Sequence, residues 1–502
     1  MFNLSFLLAI FPFFVFLVLL FWRKMALLKV SFITLFVATF LIIFYWQILP
    51  SALFSAYAKG LFVAFDILII VLGTLFFLEV SRRFKIIENI TYYLEKFSKD
   101  YRVRIILLSW FLENFLEGTA GFGAPSMVVA PLLIGMGIPI LKAVILALLG
   151  NSASVVFGAA GTPIRVGFAD LDISSVPFYA AFFNLAGIFV PVFMLWVATL
   201  HTKNRKEQFL ECLPFALWSG FSFWFASLIS VPLGQEFPSI TGSLIGFTAV
   251  LLTLKFGIFA PRNIRKHPEF KSLKASLPAF KVFLPYLFLI ILLFLGKIFL
   301  GEKIISAPFG LPYKFNLFNP GFAFILAAFL MVWLWRKREK VVFQSFKEAF
   351  QKSFEPFLVI FAMSAFVQTM IFSGENLSGL TSSIATISQF FKTNFLPFLT
   401  PFLGAFGSFL TGSATISNIM FGNIVKKSAE LIGFQAAPLL GLLVVGGAAG
   451  NMIALADILV TEAAVGLKHQ ERQVIRGVIG PCLLYLFLVG IMGMFFIEIF
   501  RI

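Results

Sequence analysis

Charge is scarce in this chain. Lys, Arg, Asp and Glu together make up 12% of 502 residues. That is about half the share of a soluble domain, so no sizeable solvated domain is expected. Cysteine is scarcer still: Cys212 and Cys482 are the only two, too few for a disulfide framework. The three histidines, His201, His267 and His469, lie in basic loops, and no His/Cys cluster has metal-ligand spacing. No metal site is expected. The GxxxxGK[ST] loop is missing, which argues against ATP-driven work by this chain alone. No Ser/His/Asp set and no paired catalytic groups are recognisable, so a membrane-embedded enzyme is disfavoured and no cofactor is expected.

What remains is apolar. Hydrophobic residues make up 60% of the chain, and there are 70 phenylalanines, more than one soluble core could bury. Runs such as Leu4–Trp22, Leu61–Val80, Phe183–Leu200, Phe283–Leu300 and the shorter Gly321–Trp335 reach or approach the ~18 apolar residues that suggest a spanning helix. The expected fold class is all-α: a polytopic, multi-pass protein of the cytoplasmic (inner) membrane, with the lipid bilayer as its partner. The first run has no positive charge before it and no small-residue cleavage site after it, so it reads as a retained helix rather than a signal peptide. The net charge of +16 sits in short loops, as the positive-inside rule expects, and no nucleic-acid footprint is seen. Oligomeric state is not legible.

Those loops orient the chain. Arg23 to Lys29, Arg82 to Lys85, Lys203 to Lys206, Arg262 to Lys281, Arg336 to Lys340 and Lys468 to Arg476 are assigned to the cytoplasm, which puts the N-terminus outside. The helix trio before Ile105–Glu117 then runs inward, outward, inward. The trio before Phe395–Thr411 runs the opposite way. Each is followed by a half-crossing that ends in small polar residues, then by an apolar helix pair and a second break. This predicts two inverted-topology repeats with broken, re-entrant helices meeting near the bilayer midplane. Residues 1–209 form the first repeat and 210–258 a connecting helical hairpin. A basic linker covers 259–282, and 283–502 is the second repeat. Phe84–Arg104 and Val341–Lys352 mix aromatic and basic residues and read as interfacial helices.

Phe115–Pro125 (FLEGTAGFGAP) carries the strongest functional signal. It places Glu117 and three glycines inside lipid-embedded helix. A charged carboxyl at mid-bilayer costs ~2.5–3.5 kcal/mol on insertion scales, and a broken helix needs protein or a watery cavity for its freed backbone groups. Glu117 is the leading proton-coupling candidate. Glu113, one turn earlier on the same face, and Asp457 are the next. Asp66 also lies within a helix and requires a partner. The small and polar residues at the breaks could line a solute site: Gly118, Thr119, Gly121, Gly123, Asn151, Ser152, Thr411, Gly412, Ser413, Thr415, Ser417, Asn418 and Asn451. Helix N-termini there offer free N–H groups to an anion. The fragments GAAGT at 158–162 and GAAGN at 447–451 match and suggest equivalent second breaks.

FLEGTAGFGAP resembles the FLEGAAGFGAP signature of the lactate permease family. Gly150–Ile164 (GNSASVVFGAAGTPI) is similar to that family's ANTAPVAFGALGIPI, and Phe402–Asn418 (FLGAFGSFLTGSATISN) to FLGWLGVFLTGSDTSSN. Gly446–Ile453 resembles GGVTGKMI. The resemblance spans most of Ile105–Leu467 in blocks. It implies transport of lactate, glycolate or a related small monocarboxylate with protons. The chain departs from the family at Ala414, where the family has Asp, and at Asn451, where it has Lys: an acid and a base are lost together. Arg165, near the missing lysine's counterpart by the internal repeat, is a candidate replacement that could hold a carboxylate bidentately. Asp170 and Asp172 are its candidate ion-pair partners. The expected function is proton-coupled symport of a small organic anion. The alternatives are an uncoupled anion channel or facilitator, and a carrier of another organic anion coupled to Na⁺.

Overall fold

In a computed structural model the described residues are 4–500 apart from 24, 122, 170, 172–173, 201, 266–276, 302, 308–312 and 336–338. Asp170, Asp172 and residues 266–276 of the basic linker therefore lie outside the described residues. The rest is a helical bundle. Among the described residues ten helical stretches are long and apolar enough to cross a membrane, and the runs Leu4–Leu20, Ala124–Gly135, Pro320–Leu334 and Leu396–Thr411 are shorter apolar helices. The protein is a multi-pass membrane protein.

Helices Pro50–Arg83 and Glu339–Phe372 form the long axis. Each has 34 residues, or about 51 Å of helix against ~30 Å of hydrocarbon. They pack closely because Gly60 meets the Ala365 backbone without a side chain between them. Gly73 closes on Gly321 of Pro320–Leu334 in the same way. Where the long pair rises out of the apolar zone, it is tied by charge: Lys352 Nζ lies 2.5 Å from Glu79 Oε1 and Arg83 Nη2 2.5 Å from Glu348 Oε1. These bridges correct one expectation. Val341–Lys352 is not a separate interfacial helix; it is the first turns of Glu339–Phe372, where no breaker stops the helix and the ion pairs hold it upright. The arm expected at Phe84–Arg104 is shorter too. It is the helix Ile86–Glu95, after which Asp100 caps a new helix by accepting from the Arg102 backbone N–H at 2.9 Å.

Elements recur in the same order on either side of the hairpin formed by Arg205–Ile229 and Pro238–Lys255. In the first half, a helix from Tyr101 through a π-helical stretch, Leu107–Leu112, to Thr119 turns back as Ala124–Gly135. In the second half, Leu396–Thr411 turns back as Ala414–Ile432. The two re-entrant hairpins open at opposite ends. The first opens beside the basic loops: buried Arg102 there pairs with Asp100 and Glu211, and Lys142 just beyond the hairpin donates to the Leu200 carbonyl at 2.6 Å. The second opens at the far end, where the preceding loop meets Trp46 through the Thr381 carbonyl and Ser378. Among the described residues one short antiparallel ladder, Ile304–Ser306 with Lys314–Asn316, lies in the connection before Pro320–Leu334.

A broken span follows each hairpin. Ile140–Gly150 gives way at Asn151 and resumes as Gly158–Arg165; Ala436–Asn451 gives way at Met452 and resumes as Leu455–Val465. The equivalent pair is thus Gly150-Asn151 and Gly450-Asn451. Gly150 lies against the Ser109 carbonyl and Gly450 against the Ala405 carbonyl. The matching GAAG fragments are not equivalent. Residues 447–450 are ordinary helix, whereas Ala159, Ala160 and Gly161 are left-handed, with φ of 42°, 54° and 77°. By the same correspondence Arg165 matches Val465, not the neighbourhood of Ala454.

Candidate functional site

The first break is set by Gly123. Its φ is +71°, and a Cβ there would lie 2.9 Å from Asp457 Oδ1. Glycine therefore serves both the left-handed turn and the approach of a carboxylate from the other half of the chain. Pro125 follows in the first helical turn, where its missing N–H is not needed. The second hairpin breaks at Gly412, φ +69°. Ser413 then caps the return helix by accepting from the Ile416 N–H at 3.3 Å; the N–H groups before it have no partner within the helix.

The breaks converge. Glu117, Gly123, Val155, Gly158, Ala159, Thr162 and Pro163 from the first half meet Gly412, Ser413, Ala414, Thr415 and Asn451 from the second around a cavity of about 40 Å³. That holds about two or three water-sized bodies, less than a three-carbon acid needs, so the tips are closed on one another. Among the described residues no basic side chain lines it. Glu117 is 4% exposed and Asp457 6%, and the two charges are near enough to interact. Asn151 lies near enough to the Glu117 carboxyl to interact with it. Glu117 Oε2, Asp457 Oδ2 and Asn151 Oδ1 are buried with no hydrogen-bond partner among the described residues. Such acceptors are costly to bury unless something else satisfies them.

Of the candidate site residues, Glu117, Gly123, Gly412, Ser413, Thr415 and Asn451 line the cavity, while Asn151 and Asp457 touch it through Glu117 and Gly123. The others lie elsewhere. Thr119 and Ser152 bond back to their own helices, at the Phe115 and Leu149 carbonyls, and Thr411 does the same at Gly407. Ser417 donates to the Gly404 carbonyl and fastens the two arms of the second hairpin together. Asn418 donates to the Pro163 carbonyl. Gly118 faces Ser239 and Ile240 of the connecting hairpin, and Gly121 faces Ala159. Glu113 is fully buried against Gly150 with both oxygens unpartnered, but it does not reach the cavity.

Arg165 departs furthest from expectation. It sits outside the cavity in an ion cluster, 3.8 Å from Asp66 Oδ2 and 3.8 Å from Glu236 Oε1, and donates to the Phe318 carbonyl. Lys297 joins from 3.4 Å. The guanidinium donates to one backbone carbonyl and sets its charge against two acids. The cluster also supplies the partner that Asp66 required, together with the Asn319 amide at 2.9 Å. Glu236, 1% exposed, escaped the sequence reading; its signal was a lone acid in the turn of the connecting hairpin. Thr162 and Pro163 were visible as a breaker inside a quoted motif but were not singled out. Val155 carries no signal in the sequence at all.

The positions where the family's acid and base are replaced, Ala414 and Asn451, both line this one cavity. Comparisons with known proteins agree with the residue pattern. A profile described as L-lactate permease matches residues 5–307 and 268–500. The chain is 26% identical over 441 residues to a putative L-lactate permease of Haemophilus influenzae, covering 79% of this chain and 80% of that one. It is 28% identical over 458 residues to the L-lactate permease of Bacillus subtilis, covering 78% of each. To the glycolate permease of Escherichia coli it is 28% identical over 449 residues, covering 78% of this chain and 77% of that one. Among solved structures it is similar to the YdaH transporter of Alcanivorax borkumensis, with a TM-score of 0.45 and 13% identity over 88% and 86% of the two chains. With a match that runs from one end of the chain to the other, and relatives that are permeases rather than enzymes, this transport protein belongs to the L-lactate permease family.

Proposed function

We propose that this protein carries a small monocarboxylate of the lactate or glycolate kind across the membrane together with protons, and that Glu117 is the proton site. The observation that carries the reading is the place of Glu117: a buried carboxyl with an unpartnered oxygen, in a cavity built by the helix breaks of both halves. The names of the relatives support the substrate class.

The chemistry follows from the lining. With no basic side chain at hand among the described residues, an anion is met by the N-terminus of Ala414–Ile432, whose first N–H groups and dipole favour negative charge, and by the hydroxyls of Ser413 and Thr415. A charged Glu117 beside that anion would repel it. Protonation removes the repulsion and turns the carboxyl into a donor. The loaded cavity is then close to neutral for one anion at a helix terminus, and the hairpins can reorient. The anion-only form sets two negative charges side by side in a buried cavity, costing roughly 3–5 kcal/mol, and reorients slowly. Coupling arises from that difference.

The test is uptake of radiolabelled lactate and glycolate into proteoliposomes under an imposed pH gradient, inside alkaline. Wild type accumulates substrate above the outside concentration. Glu117→Gln binds substrate and exchanges it but accumulates none. Gradient-driven accumulation by Glu117→Gln would overturn the proton assignment. Uptake that only equilibrates in the wild type would point to a facilitator, and accumulation that needs external Na⁺ to the other coupling ion.

A further inference from the structure

A second concave site lies on the outer face of the bundle, remote from the hairpin tips. Ile140–Gly150, Val190–Thr199 and Glu471–Phe500 enclose a groove of about 830 Å³, within the range of ligand-binding clefts. Its wall is apolar: Ile145, Phe193, Trp196 and Leu484 line it, and at Gly480 a Cβ would meet no atom within 4 Å. Its mouth is basic. Lys142 and Arg476 line it, and Arg205 stands beside it with its guanidinium 3.7 Å over the Trp196 ring. Among the described residues no acid lines the groove.

We infer that this groove holds an anionic phospholipid of the cytoplasmic leaflet, with its phosphate at Arg476 and Lys142 and an acyl chain along the Gly480 face. Three observations support this occupant. Length is the first: Arg476 to Leu484 spans eight residues of helix, about 12 Å, close to the roughly 15 Å depth of one hydrocarbon leaflet. Charge is the second. All the charged groups lie at one end, the end that the basic loops assign to the cytoplasm, and they are of one sign. The third is donor supply. Lys142 spends two N–H groups on the Ala198 and Leu200 carbonyls, at 3.3 and 2.6 Å, which leaves the third of its donors. Exposed Arg476 makes no ion pair among the described residues. An apolar slot ending in paired cations at the membrane surface suits a phosphate headgroup better than a neutral one.

The measurement is native mass spectrometry of the detergent-purified full chain, titrated with phosphatidylglycerol and with phosphatidylcholine of identical acyl chains. Wild type is expected to retain phosphatidylglycerol at about tenfold lower concentration than phosphatidylcholine. Arg476→Glu should erase that preference while leaving phosphatidylcholine retention within twofold. Gly480→Phe, which fills the slot from an open position, should lower retention of both lipids at least fivefold. Equal retention of the two lipids by wild type would overturn the proposal, as would an unchanged preference in Arg476→Glu. A wild-type dimer that Gly480→Phe splits, with lipid retention unaltered, would overturn it in favour of a contact between two copies of this chain.

Discussion

The Asn418 side-chain amide donates to the Pro163 carbonyl across 2.9 Å, joining the return arm of the second hairpin to the broken span of the first half. A reciprocal contact exists: Thr461 Oγ1, on the broken span of the second half, lies 2.9 Å from Ser126 Oγ on the return arm of the first hairpin. Each hairpin is thus clasped by the other half's second break, and the tips are brought together between the two clasps. Asn418→Leu should remove the first clasp and leave the Pro163 carbonyl buried and unpaired, at about 1–3 kcal/mol. A fall in the unfolding midpoint with a parallel loss of uptake is expected, and thermal unfolding in detergent measures it. An unchanged midpoint would mean that the clasp contributes nothing.

Gly123 has two constraints that act together. A side chain there meets both the left-handed backbone, at about 1–2 kcal/mol for an L-residue, and the Asp457 carboxylate at 2.9 Å. Gly123→Ala should therefore lose most transport, whereas Gly135→Ala, where a Cβ has open space, should retain it. Initial uptake rates normalised to membrane expression separate the two. Equal activity in both variants would show that Asp457 does not press on the turn.

Positions 414 and 451 face one cavity. Ala414→Asp alone or Asn451→Lys alone strands a charge there, with an expected loss of roughly 3–5 kcal/mol. The double variant should recover part of it, because the two charges compensate at close range. A double-mutant cycle on unfolding free energy should give a favourable coupling of about 1–3 kcal/mol. Strict additivity would place the two side chains out of reach of each other.

Arg165 balances buried acids. Arg165→Gln leaves Glu236 and Asp66 short of a cation and should destabilise by about 3 kcal/mol; adding Glu236→Gln should restore part of the loss. Because the guanidinium is outside the cavity, Arg165→Lys should change the KM for lactate less than threefold. A KM rise of tenfold or more with stability intact would return Arg165 to the role of substrate anchor.

Much of the architecture was legible in advance. Apolar runs of spanning length, basic loops and two Gly-rich interruptions gave the polytopic class and the re-entrant hairpins, because hydrocarbon tolerates neither free backbone groups nor isolated charge. Glu117, Gly123, Gly412, Ser413 and Thr415 could be chosen on those grounds and do line the cavity. Thr119, Ser152 and Thr411 could not be told apart from them, because a hydroxyl one turn from a break can face a cavity or bond its own carbonyl with equal ease. The equivalence drawn from GAAG failed because four small residues suit close helix packing at 447–450 and a left-handed unwinding at 159–161 alike; what differs is the neighbouring surface.

Composition and spacing settle properties that belong to a segment and its solvent: which stretches prefer lipid, where a helix must break, and which interruption carries an acid. Partners far apart in the chain follow different rules. Arg165 is held by Asp66 and Glu236 rather than by a solute, Asn418 by Pro163, and Gly123 is pressed by Asp457. Each of those depends on how the two halves wrap around one another, and a short-range pattern of residue types contains no term for a contact made 71 to 334 positions away.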